Sequence, residues 1–187
     1  SELIRDLTRA IRLLIDGRVP LEFAPYVAGA SLFGLDKSKG DVFDVRPIAA
    51  GEILRRLVGK CLCITHKASA AKFFKPAGQF GVACPSGSER VIHRVRQEVS
   101  VLLQHEHKEA ALEQVILKVD LKNAFNKVSR YHVLRLVRTH FPGLARWVHW
   151  CYGSGADPHL RFGDWTLSSQ EGVQQGDPLG PLLFSMV

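Results

Sequence analysis

Long apolar runs are missing from this chain of 187 residues. No stretch approaches the roughly 20 consecutive apolar residues that a helix needs to cross a bilayer, and no secretory leader shows, so no membrane partner is expected. Cysteine is sparse: Cys61, Cys63, Cys84 and Cys151 follow no framework spacing. A chain of this length can bury a core without staples, so reduced thiols and no disulfide-linked partner are expected. No Cys-x-x-Cys pair occurs, and Cys61, Cys63 and His66 are poorly spaced for zinc. Internal repeats and low-complexity segments are absent too, which leaves one ordinary domain or one and a half.

What is present is a core and a positive charge. Hydrophobic residues make up 46%, and 25 Lys and Arg against 18 Asp and Glu give a formal charge of +7. Such a balance suits a polyanion, because each cation placed on a phosphate releases a condensed counterion. A basic surface kept for solubility accounts for it equally well.

Periodicity predicts a mixed order of elements. Leu3, Ile4, Leu7, Ile11, Leu14 and Ile15 recur at helical spacing over 2–16, and Gly17 closes the run. Strands are expected over 27–35 and 42–46, separated by a charged turn. Pro47 should open a helix with Ile53, Leu54, Leu57 and Val58 on its buried face. A Gly/Pro/Ser-rich loop over 75–88 precedes a helix striped by Val91, Ile92, Val95, Val99, Leu102 and Leu103. After a polar loop from His105, residues 115–119 predict a buried strand. Ser129 can cap a helix that Pro142-Gly143 stops, a Trp-bearing helix covers 144–152, and Gly163-Asp164 centres a hairpin over 160–167. The fold class is α+β, a mixed α/β order without regular βαβ alternation.

The residue types that carry chemistry are few. Asp120 ends the apolar run, where an unpaired carboxylate is costly to desolvate. It either binds a cation at a cleft or caps a helix N-terminus. The loop around Gln175-Gly176 lets backbone approach a ligand closely, because glycine has no Cβ, while the Gln175 amide can donate and accept. Pro178 and Pro181 stiffen it, with Pro181 placed at the first turn of a helix.

Two strings carry a family resemblance. VILKVDLKNAF, residues 115–125, and GVQQGDPLGPLLF, residues 172–184, resemble motifs A and B of the reverse transcriptase palm, in the branch of non-LTR retrotransposons and group II introns. Upstream, VFDVRPIAAGEILRRLVGKC (42–61) and GQFGVACPSGSERVIHRVR (78–96) resemble finger segments of the same branch. The resemblance implies right-hand polymerase fingers plus an incomplete palm: an N-terminal helix and extension over 1–26, a fingers-like region over 27–110 and a partial palm over 111–187.

It also implies an RNA-directed DNA polymerase, a nucleotidyltransferase of a mobile element. Such an enzyme adds dNTPs to a primer 3′-hydroxyl on an RNA or DNA template, using two Mg²⁺ ions. By the same resemblance Asp120 is the catalytic acid and a metal ligand, and Leu121 lends its carbonyl to a metal. Phe125 excludes a ribose 2′-hydroxyl, Gln175 and Gly176 meet the nascent pair, and Arg46 with Lys37 or Lys39 grips the triphosphate. Arg55, Arg56 and Lys60 are expected on the exposed face of their helix, where they can follow a nucleic-acid backbone. Many members of the branch have Asp where Asn126 stands, which touches no metal ligand.

The family's next motif, a Tyr/Phe-x-Asp-Asp hairpin with the remaining acids, is not in the chain. The expectation is a polymerase cut short after motif B, inactive by itself, with the amino end open to the same reading because Ser1 is not Met. The alternative is a degenerate, non-catalytic remnant that holds nucleic acid by charge. A structural domain with chance matches is the third reading. An intracellular or nuclear site follows from the family and the lack of an export signal.

Overall fold

A computed structural model describes every residue except Lys39, Asp41, Val42 and 105–114. The nucleotide role expected for Lys39 and the polar loop expected from His105 therefore lie outside the described residues. The chain divides into two compact units: residues 1–66 with 123–187, and residues 67–122. These limits differ from the 27–110 and 111–187 ranges expected from the sequence. Among the described residues no helix is long and apolar enough to cross a membrane.

The larger unit is α+β, with a four-stranded mixed sheet. Helix α1 (Glu2–Ile15) buries Leu14 and packs on the helix Pro142–Tyr152. Pro25 sits in the first turn of the short α2 (Ala24–Val27), so the first strand starts later than expected, as β1 (Ala30–Asp36). Strand β2 (Val45–Gly51) runs antiparallel to β1, pairing Ala30 with Gly51 and Asp36 with Val45. Pro47 is the first correction. It lies inside β2 opposite Gly34, because an edge strand tolerates the missing N–H.

Helix α3 (Ile53–Phe74) follows, and its early turns turn out differently than expected. Ile53 is 78% exposed, whereas Arg55, Val58 and Leu62 are buried. The buried stripe is thus set by Arg55, Val58 and Leu62, at helical spacing.

The expected hairpin forms. Strand β3 (His159–Phe162) turns at Gly163-Asp164 into β4 (Trp165–Ser168), and β3 also runs parallel to β1. The sheet order is β2-β1-β3-β4. The expected helical pair forms as α6 (Arg130–His140) and α7 (Pro142–Tyr152). Val133 and Val137 of α6 and Leu144, Trp147, Val148 and Cys151 of α7 make the apolar centre. Trp147 and Trp150 stack with ring centroids 5.5 Å apart, and the Trp150 indole donates to the Val19 carbonyl at 2.9 Å. Two short helices, α5 (Ala124–Lys127) and α8 (Gly180–Ser185), flank the loop described below.

The smaller unit holds the end of α3, a helical turn at 75–77, α4 and the segment 115–122. Helix α4 (Gly87–Gln104) follows the expected loop, starting inside its last two residues, yet its stripe is uncovered: Val91, Ile92, Val95 and Val99 are all exposed. Residues 115–119 are a second correction. They form no strand and are exposed, Val115 at 89% and Leu117 at 81%. A strand persists only where a neighbour accepts its ladder. The four strands pair among themselves, and no described residue pairs with 115–119.

Candidate functional site

The site with the most built-in chemistry is the loop from Gly172 to Leu179, in the string that resembles motif B. Its centre is Asp177, only 8% exposed. Arg55, 1% exposed, donates from Nη2 to Asp177 Oδ2 at 2.7 Å. The Tyr152 hydroxyl donates to the same oxygen at 2.6 Å, and the Leu179 N–H donates to Oδ1 at 2.9 Å. Arg55 Nη1 donates to the Ala28 carbonyl, which also accepts from Gln174 Nε2 at 3.1 Å. The Gln174 N–H donates to the Tyr152 oxygen at 3.2 Å. One carboxylate therefore ties α3, α7 and the turn before β1 to one loop.

The charges of this knot are fixed by burial and by each other. Burial is the largest influence on Asp177 and pushes its carboxyl up. Arg55, the Tyr152 hydroxyl and the Leu179 N–H more than offset it, and the group stays below the usual carboxylate range. Burial likewise works against the Arg55 cation, but Tyr152 and Asp177 hold its pKa above the ordinary value. Burial raises the Tyr152 phenol and takes the Cys151 thiol up to about 12. The guanidinium groups of Arg55 and Arg130 also lie over the Tyr152 ring, 5.0 and 5.2 Å from its centroid. Asp177 is thus a buried, charge-compensated anchor, with two hydrogen bonds accepted at Oδ2 and one at Oδ1.

Backbone contacts complete the loop. Gln175 accepts at its carbonyl from the Ala49 N–H at 2.7 Å, so the loop covers the outer edge of β2. Gly176 has φ +122°, and a Cβ there would stand 2.2 Å from the Ala49 carbonyl oxygen. Gly172 has φ +68°, and its Cβ would meet the Asn126 backbone at 2.4 Å. Pro178 lies on Gly59 of α3 and accepts from the Cys63 thiol at 3.2 Å. Next to Gly172, the Val173 N–H donates to the Phe125 carbonyl at 2.8 Å, and the Phe125 ring stacks on Phe184 with centroids 4.8 Å apart. Arg130 clamps the loop's entry, donating from Nε to the Gly172 carbonyl at 2.8 Å and from Nη2 to Ser169 Oγ at 2.8 Å.

The other expected residues fall in three places. Phe125, Gln175 and Gly176 come together around this loop, with Phe125 and Gln175 half-buried and Gly176 exposed. Lys37 and Arg46 are exposed on the β1–β2 hairpin, where the Lys37 N–H donates to the Asp44 carbonyl at 2.8 Å. Among the described residues Arg46 pairs with no carboxylate. Asp120 and Leu121 are exposed in the smaller unit. Arg56 and Lys60 lie on the exposed face of α3 as expected, but Arg55 does not. It is corrected from a surface contact to a buried partner of Asp177, because the carboxylate and the Ala28 carbonyl accept from its two terminal nitrogens and the carboxylate supplies the counter-charge.

Among the described residues no group of three His, Cys, Asp or Glu side chains could hold a metal ion. Asp120 belongs to no such group among the described residues.

Asp177, Gln174, Tyr152 and Arg130 were not singled out as site residues from the sequence. For Asp177 a signal existed: an Asp two residues before Leu179 in a proline-bounded turn is suited to accepting that backbone N–H. Compared with family models, curated proteins and solved structures, the chain matches none of them.

Proposed function

We propose that the chain is part of an RNA-directed DNA polymerase of the non-LTR retrotransposon and group II intron-like branch, comprising fingers and an incomplete palm. The observation that best supports this is the backbone bond between Val173 and Phe125, which joins the string resembling motif A to the one resembling motif B. In this reading Phe125, Gln175 and Gly176 form the surface under an incoming dNTP, and Arg46 and Lys37 receive its triphosphate. Asp120 is the one acid this chain contributes to a two-Mg²⁺ centre, with Leu121 beside it. Arg56 and Lys60 follow the template or primer backbone. Because no group of three His, Cys, Asp or Glu side chains among the described residues could hold a metal ion, no metal-dependent step is placed on them, and no primer extension is expected from the chain alone.

Equilibrium binding of dGTP to the whole chain is the direct test. Arg46 and Asp120 are both exposed, so their substitution leaves folding intact. Arg46→Gln should weaken dGTP binding about tenfold, the loss of roughly one charge-assisted hydrogen bond. Asp120→Asn should remove whatever gain Mg²⁺ gives. Indifference to both substitutions sinks the polymerase reading. It would leave the second reading, a non-catalytic binder of nucleic acid, which the formal charge of +7 favours.

A further inference from the structure

Three clefts on the larger unit adjoin one another. The first, about 820 Å³, lies along α6 and carries Arg130, Arg135 and Arg138. The second, about 530 Å³, shares Arg138 and His149 with the first and adds Arg146 of α7. The third, about 510 Å³, shares Asp16 with the second and carries Arg5, Arg9, Arg12 and Arg18. Shared side chains set the three side by side over α6, α7 and α1, along one basic face.

Their lining is nearly all of one sign. Eight arginines face two aspartates, Asp16 and Asp157, and no lysine or glutamate takes part. Asp157 is already engaged, accepting from the Ser168 hydroxyl. Among the described residues Arg9, Arg12, Arg18, Arg135, Arg138 and Arg146 pair with no carboxylate, and all six are exposed. Like charges gathered this closely repel, and only a ligand with many negative charges relieves them along the whole length. Arginine offers a planar fork that takes two phosphate oxygens at once. Arg5, Arg9 and Arg12 share one side of α1, and Arg135 and Arg138 one side of α6, so each helix presents its guanidiniums as a row.

We propose that this face is a track for the sugar-phosphate backbone of a nucleic-acid strand. It uses none of the residues expected to serve a nucleotide, and it does not rest on the polymerase reading. A flat bilayer fits less well. The exposed apolar residues of α1, Leu3, Ile4 and Leu7, lie opposite its arginine row at the helical period, so a membrane holding one side leaves the other unfilled.

The test is binding of the full chain to a labelled single-stranded RNA of about 20 nucleotides across a salt series. Wild type should show a steep salt dependence. The triple variant Arg135→Gln, Arg138→Gln, Arg146→Gln should bind on the order of tenfold more weakly and lower the log–log salt slope by about 2, at ~0.7 for each single-strand phosphate. Arg94→Gln, outside the clefts and paired with Glu98, should bind like wild type. Asp120→Asn and chelation of Mg²⁺ should leave RNA binding unchanged, so a failed polymerase reading is told apart from a failed track. Photocrosslinking of wild-type protein to 4-thiouridine RNA needs no variant and should place the adducts on α1, α6 and α7. An unchanged slope in a folded triple variant, adducts confined elsewhere, or RNA that fails to displace the chain from phosphatidylserine vesicles would each overturn the proposal.

Discussion

The string that looks most polar is buried, and the string that looks most apolar is exposed. Around Asp177, a loop of Gln, Gly, Asp and Pro sits under α3 and α7 with the Asp177 carboxylate and the Gln174 N–H groups paired inward. Across 115–119, Val, Ile and Leu side chains lie open in the smaller unit. Hydropathy alone orders these two regions the wrong way. Partners decide instead: a charged group can be buried where donors already converge on it, and an apolar strand is buried only where a sheet edge and a second layer receive it.

Removing the anchor of the buried region should have the largest effect. Asp177→Ala leaves the Arg55 guanidinium enclosed with no counter-charge, at a cost of about 3–5 kcal/mol in urea unfolding. Replacing Arg55 and Asp177 together by leucines should cost far less than the two single changes added, because no charge is stranded. The acid limb of stability should report the same group. In the unfolded chain the carboxyl titrates near its ordinary value of about 3.9. In the folded chain Arg55 and Tyr152 hold it lower. Its contribution is therefore full above pH ~4 and is lost as pH falls through the folded pKa. Asp177→Asn should flatten that part of the profile. A wild-type acid transition unchanged by this substitution would show that the buried pair does not govern it.

A smaller effect, of backbone origin, is expected one residue earlier. Gly176→Ala adds a Cβ 2.2 Å from the Ala49 carbonyl at φ +122°, so strain of roughly 1–3 kcal/mol is added to a loss of contact with β2. Gly163→Ala separates the two contributions, since its φ is +55° but nothing lies within 4 Å of its Cβ. It should cost only about 1–2 kcal/mol, the left-handed conformation alone. Equal costs at both glycines would mean that the loop does not press on β2.

Much of the architecture was legible because periodicity reports local form. The helices at 2–15, 130–140 and 142–152 and the hairpin at Gly163 follow from spacing and turn residues. Burial was legible only where an apolar stripe met a partner, as at Val133, Val137 and Trp147. At α3 the stripe of Val58, Leu62 and Ala70 extends back to Arg55 rather than to Ile53, but an arginine reads as exposed until its carboxylate is known. That carboxylate is 122 residues away, beyond the reach of any local pattern. Gly176 was marked for close approach to a ligand, and the group that lies against it here is the Ala49 carbonyl of β2, a contact no local pattern announced. Pro47 misled because a proline before an apolar run signals a helix start as readily as an edge strand.

The exposed region should give the smallest effect on stability, and that is its diagnostic value. Leu117 is 81% exposed, so Leu117→Ser removes no packing and should shift the urea midpoint by no more than the ~0.5 kcal/mol of an ordinary surface change. The same substitution should reduce binding of a dye that reports exposed apolar surface, because Val115, Ile116, Leu117 and Val119 form an open apolar row. Buried strands answer in the opposite way, losing about 2–5 kcal/mol on losing a Leu side chain while dye binding rises. The two readouts thus move apart for an exposed segment and together for a paired one. If Leu117→Ser unfolds the chain, residues 115–119 are held as a strand in solution. The contrast with the Asp177 loop would then dissolve, and both strings would be core.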